Sequence, residues 1–289
     1  MRLKIIPLLA LFLYVGSYGQ TNTNVYFSLI NQSNDSIDIS PPNLISPNPG
    51  YNNQPSFRDD LSIVYAGNNK GQSDIAHYSI IEKLNTWVHT PTSGGEYSPQ
   101  AIPNSKNIAA VRLDTTGLQR LYEYTTKEST LLIEDLQVAY YAFYNDSTIV
   151  SSVLGINVLD LVVSDLKKKT NDTLVSNVGR SIHKIPGSNA MSYTAVNEEK
   201  NHEIFMLEMN ESLESFFICQ LPVGIQDYVW LNDSVILIGS GSKLYKYDMF
   251  GTQEWVVISD FTENGVKSIT RLAVSNDLKR IAMVAESVD

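Results

Sequence analysis

One arrangement of apolar and polar positions recurs along the chain: an apolar residue, a short polar stretch, then a run of β-branched and other apolar residues. Its first instance is Phe57-Arg58-Asp59-Asp60-Leu61-Ser62-Ile63-Val64-Tyr65, and its fifth is Trp230-Leu231-Asn232-Asp233-Ser234-Val235-Ile236-Leu237. The leading apolar residues are Phe57, Ile102, Phe143, Ile185, Trp230 and Val274, spaced 45, 41, 42, 45 and 44 residues apart. Each polar stretch is built from Asn, Asp, Ser, Gly or Pro, which favour chain reversal. With strand-forming residues on both sides, each reads as a β-hairpin.

A third, alternating strand follows each hairpin, as in Asp74-Ile75-Ala76-His77-Tyr78 and Lys243-Leu244-Tyr245-Lys246-Tyr247. A fourth comes after another polar turn, as in Thr86-Trp87-Val88-His89 and Ser215-Phe216-Phe217-Ile218. Four antiparallel strands per repeat of about 40 to 50 residues is the period of a β-propeller blade. The fold class expected is therefore all-β, a six-bladed propeller. Lys167-Lys168-Lys169 and Glu198-Glu199-Lys200 lack a 3.6-residue apolar pattern and read as hairpin tips.

The sixth repeat stops after its second strand, while residues 24–30 and 36–39 form two strand-like runs that belong to no repeat. Two strands from each end complete one sheet, pairing the termini and removing an exposed edge. The last blade is thus expected to be closed by the N- and C-terminal strands.

Residues 1–19 have the layout of a secretory signal. Arg2 and Lys4 precede an apolar run from Ile5 to Val15, and small residues Ser17 and Gly19 stand before Gln20. The run is too short for a bilayer span, which needs about 20 residues. The expected division is a signal peptide at 1–19 and one propeller domain at 20–289, exported to the periplasm or the extracellular space. No cysteine stands at the cleavage site to carry a lipid. Losing Arg2 and Lys4 would take the net charge from −10 to −12, which argues against a nucleic-acid partner or an anionic membrane surface.

The first repeat carries a more specific phrase. Asn53-Gln54-Pro55-Ser56-Phe57-Arg58-Asp59-Asp60, then Ile63-Val64-Tyr65-Ala66 and Gly71-Gln72-Ser73-Asp74-Ile75, resembles the TolB-type, WD-like propeller repeat. Ser98-Pro99-Gln100-Ala101-Ile102 matches it in part, and later repeats carry Asn-Asp-Ser in place of the Asp-Gly turn. The resemblance implies an exported six-bladed propeller that serves as a protein-interaction platform, and it implies no catalytic residue.

Elementary chemistry motifs are few. His77, His89, His183 and His202 form no His-x-His or His-Glu-x-x-His pair. No Gly-x-Ser-x-Gly elbow occurs, and no Asp-x-Asp-x-Asp-Gly calcium loop. Gly239-Ser240-Gly241-Ser242-Lys243 joins two strands and has the wrong spacing for a phosphate loop. Cys219, the one cysteine, sits in the apolar run Phe216-Phe217-Ile218-Cys219 and reads as a buried, inert thiol. The Asn-x-Ser/Thr triplets at Asn31, Asn34, Asn145, Asn171, Asn210 and Asn232 read as turn chemistry.

In a propeller the innermost strand of each blade lines a central channel. Counting back from each leading residue places Asn53, Glu96, Tyr141, His183, Tyr228 and Arg271 near one rim, the candidate ligand-binding residues. Aromatic and Arg side chains are common binding anchors. The expectation is a monomeric, non-enzymatic platform for a protein or peptide, with no catalytic residue, no metal ligand and no cofactor. The alternative is a lactonase- or lyase-like enzyme holding a divalent ion in the channel.

Overall fold

The computed structural model of the chain describes residues 22–33 and 36–286. The proposed signal segment lies outside them, as do Asn34 and Asp35 of the first turn. Six sheets are present among the described residues, each of four strands, with a short fifth strand in one of them.

Blade 1 comprises Asn53–Asp59, Ser62–Asn69, Gln72–Ser79 and Leu84–Trp87. Blade 2 comprises Gly95–Ala101, Ile108–Leu113, Gln119–Tyr124 and Ser129–Leu131. Blade 3 follows with Val138–Phe143, Thr148–Leu154, Leu159–Asp165 and Thr170–Ser176, and blade 4 with Val178–Lys184, Ala190–Val196, His202–Glu208 and Ser215–Gln220. Blade 5 is Val229–Trp230, Val235–Ser240, Lys243–Asp248 and Val256–Asp260. All neighbouring strands within these blades are antiparallel.

Blade 6 takes Lys267–Val274 and Arg280–Glu286 from the end of the chain, and Thr23–Gln32 and Ile37–Ile39 from its start. Thr23–Gln32 pairs with Arg280–Glu286 over seven residues, from Thr23 opposite Glu286 to Leu29 opposite Arg280. The two-plus-two closure expected from the repeats is what forms. Asn43–Leu44 adds a short strand against Tyr26 and Phe27 that the sequence pattern did not indicate.

The hydrophobic runs have a simple cause. The second strand of each blade faces a neighbouring blade on both sides, so stretches such as 62–67, 149–153 and 281–285 are wholly buried. Six apolar clusters result, each joining one blade to the next. Val64 and Ile75 of blade 1 meet Ile108 and Tyr122 of blade 2. Val25, Phe27, Ala282 and Val284 of blade 6 meet Ile63 and Tyr65 of blade 1, which closes the ring.

The hairpin tips show why Asn and Asp recur there. The Asn145 Oδ1 accepts hydrogen bonds from the backbone N–H groups of Ser147 and Thr148, and Asn232 Oδ1 does the same for Ser234 and Val235. Asp165 caps Lys167 and Lys168 identically, so both charged tripeptides are tips rather than helices. The 239–243 segment is a strand-to-strand turn with Gly241 at φ 58°. Gly239 is required by packing: a Cβ there would stand 2.3 Å from Ile269 Cγ2 of blade 6. Among the described residues no helix is long and apolar enough to cross a membrane.

Candidate binding channel

The innermost strands run in the same direction around a central channel, and at one mouth most of them are irregular. Their pairing slips between Asn53 and Ser56, Tyr97 and Gln100, Val138 and Tyr140, Val178 and Ile182, and Lys267 and Arg271. Gln54 and Ser98 at these slips take positive φ, 56° and 50°. A bulge inserts an unpaired residue and re-aims the side chains around it. Because strand side chains alternate, a one-residue slip exchanges channel-facing for blade-facing positions.

Such slips lie beside several of the residues placed at the rim by counting. Asn53, Glu96, Tyr141 and Tyr228 are buried. Asn53 lies against Thr23, its Nδ2 donating to Oγ1 at 3.4 Å. Tyr141 donates its hydroxyl to the Ala109 carbonyl of blade 2 at 2.7 Å. Tyr228 donates to Ser192 Oγ of blade 4 at 2.6 Å, and Trp230 Nε1 donates to the same oxygen at 2.8 Å. Asn53, Tyr141 and Tyr228 thus each bond a neighbouring blade, and Tyr141 and Tyr228 also border the channel opening. Tyr141, His183, Tyr228 and Arg271 border the channel, together with Gln54, Tyr140, Arg180 and Asp227, which counting missed. Asn53 does not border it, but its immediate neighbour Gln54 does.

At this mouth the channel encloses about 100 Å³ among Gln54, Ser98, Gln100, Tyr140, Arg180, His183, Asp227 and Arg271. Arg180 Nε donates to both Asp227 oxygens at 3.1 and 3.0 Å, and its NH2 group also bonds Oδ2. Burial works against the Arg180 charge, but Asp227 more than offsets it and raises the guanidinium pKa. Arg271 approaches the same carboxylate from blade 6, its Nε 3.9 Å from Oδ2, and its guanidinium lies 5.8 Å from the Tyr140 ring centre. Tyr51 packs edge-on against Tyr97 at 6.1 Å. Burial pushes the Tyr51 hydroxyl up to about 12 despite Arg271 and Arg180 nearby, so it stays a neutral donor. Burial likewise pushes His183 down to about 4, with Asp227 pulling the other way, so its ring is uncharged at neutral pH.

The far end widens to about 530 Å³ among Phe57, Arg58, Asn104, Ser105, Phe143, Lys184 and Asn276. Pro55, Ser56, Gln100, Ile182, His183 and Leu272 border both spaces. The donor set does not suit a divalent ion: the one carboxylate at the narrow mouth, Asp227, is already held between two guanidiniums. Among the described residues no group of three or more His, Cys, Asp or Glu side chains is placed to hold a metal. Cys219 is buried and free, its thiol pushed up to about 12 by burial.

This architecture is that of a six-bladed β-propeller, the fold of solved TolB structures among others. A solved structure described as "putative TolB from Agrobacterium tumefaciens" superposes with a TM-score of 0.70 at 12% identity, covering 94% of this chain and 100% of its own. TolB from Acinetobacter baumannii gives 0.58 at 9% identity, over 92% of this chain and 64% of its own. An oligogalacturonate lyase in complex with manganese gives 0.55 at 12% identity, over 85% and 80%. No protein-family model matches the chain, and no curated protein matches it in sequence. At such identities the likeness is one of fold.

Proposed function

We propose that the protein is an exported, non-enzymatic β-propeller that binds a protein or peptide through its central channel and the surrounding rim. The observation that carries this reading is the narrow mouth itself. Arginine, tyrosine and glutamine side chains converge on an open space. Blade-to-blade packing fixes that mouth before any partner arrives, which lowers the ordering cost of binding. The likeness to TolB structures supports the same direction, and the signal-like segment at 1–19 supports export. The manganese-bound lyase shares the fold, but the guanidinium pair around Asp227 favours an anionic group over a metal ion.

Affinity capture with the purified protein, compared with a Gln54→Ala, Tyr140→Ala, Arg271→Ala variant, tests the binding surface. Partners retained by the native protein and lost by the variant are expected; equal capture by both would remove the channel mouth from consideration. N-terminal sequencing of the exported protein is expected to begin at Gln20, and an intact Met1 in the cell-free or periplasmic fraction would refute the signal assignment.

A further inference from the structure

The channel and the chain around it carry opposite charge. The whole chain has a net charge of −10. The side chains bordering the two connected spaces include Arg58, Arg180, Lys184 and Arg271 against the single acid Asp227. Charges on a concave, low-dielectric wall focus their field into the enclosed space, so this local excess is felt inside the channel even in an acidic protein.

The hydrogen-bond inventory points the same way. Asp227 is fully used by Arg180. The Arg271 side chain has no hydrogen bond among the described residues; its charged contacts are the 3.9 Å approach to Asp227 and the face of Tyr140. A guanidinium has five N–H donors and no acceptor, so Arg271 stands in a mostly enclosed site with donors to spare. At the wide end, Lys184 Nζ donates to the Tyr144 carbonyl and Arg58 donates to the Lys106 carbonyl, neutral acceptors that leave both charges unbalanced. A planar carboxylate is the group that a guanidinium fork matches best.

We infer that the channel takes an acidic peptide segment, one carboxylate of which seats against Arg271 and Arg180 while further acidic side chains run toward Arg58 and Lys184. This rests on the proposed peptide-binding reading and names the chemistry of its partner. The narrow mouth, at about 100 Å³, has room for one such group, and the wide end, at about 530 Å³, for several residues.

The probe is fluorescently labelled hexaglutamate, titrated by anisotropy at about 50 mM salt, where charges still interact over about 14 Å. The native protein is expected to bind it and not hexaglutamine. Arg271→Gln and Arg58→Gln, from opposite ends of the channel, are each expected to weaken binding about tenfold or more, the scale of a lost charge-assisted hydrogen bond. Lys127→Gln makes the same charge change on an exposed hairpin outside the channel and is expected to leave binding unchanged. Thermal melts of each variant separate lost binding from lost fold.

Hexaglutamate that fails to bind, or that binds both arginine variants as well as the native protein, would overturn the inference. A loss with Lys127→Gln as large as with Arg271→Gln would overturn it too, as would N-acetylglutamate binding as tightly as the hexamer. Captured partners in the absence of hexaglutamate binding would keep the platform reading and sink the acidic-peptide assignment. Hexaglutamate binding with no captured partner would do the reverse.

Discussion

Replacing Glu96 with Gln should make the protein less sensitive to alkali. Glu96 sits on the innermost strand of blade 2 and has no solvent exposure. Its Oε1 accepts from the Thr92 hydroxyl and, at 3.4 Å, from Tyr124. Its Oε2 has no hydrogen-bond partner and lies 4.0 Å from His89 Nε2, with that ring stacked on Tyr124 at 4.5 Å. Burial, and next to it the acid Asp74, push the carboxyl from its ordinary 4.5 up to about 8, against the Thr92 and Tyr124 hydrogen bonds. The folded protein therefore holds a proton that the unfolded chain releases near pH 4.5. Stability from this group is complete below pH 4.5 and is lost as pH rises toward 8. At about 1.4 kcal/mol per tenfold change in proton affinity, the whole loss is on the order of 5 kcal/mol.

Glutamine reproduces the protonated acid in shape and in its donor and acceptor, and it cannot ionise. Urea unfolding of the native protein and Glu96→Gln across pH 5 to 9 measures the difference. The native curve should fall relative to the variant by about 2 to 3 kcal/mol between pH 6 and 9. Parallel curves would refute the reasoning, because they would mean that Glu96 ionises in the folded state as easily as in the unfolded chain.

Three further expectations follow from the packing. Deleting residues 24–40 removes Val25, Phe27 and Ile30, all buried, and with them about 5 to 9 kcal/mol of apolar burial, so calorimetry should show the sharp unfolding transition lost; an unchanged melting profile would overturn the closure. Ser192→Ala leaves the buried Tyr228 hydroxyl and Trp230 Nε1 without their shared acceptor and should cost about 2 to 4 kcal/mol in urea unfolding, where a change under about 0.5 would contradict the network. Cys219 should resist a thiol reagent at pH 8 in the folded protein and react once unfolded, since burial keeps it protonated there; rapid native labelling would show the strand 215–220 to be open.

The repeat, the blade count and the closure were legible in the chain because they depend on local periodicities. Asn or Asp at a hairpin tip bonds its own backbone two or three residues on, and a β-branched run signals a strand covered on both faces wherever it occurs. Even the joining of the two ends was a matter of counting strands. The channel was not legible in the same way. Asn53 was placed one position away from Gln54, which borders the opening, because a bulge in that innermost strand shifts the alternation. Some regular warning exists in the sequence, since Gln54-Pro55 and Ser98-Pro99 put a proline, with no N–H to donate, inside two of the shifts in the innermost strands.

Beyond that signal, the site depends on meetings between blades. Arg180 reaches Asp227 across 47 residues, and Arg271 arrives at the same carboxylate from a blade completed by the other end of the chain. Local sequence fixes which residues form strands and where they turn, since those energies are settled within a few positions. Which side chains share an enclosed space, and so what charge that space carries, is settled only when the ring closes.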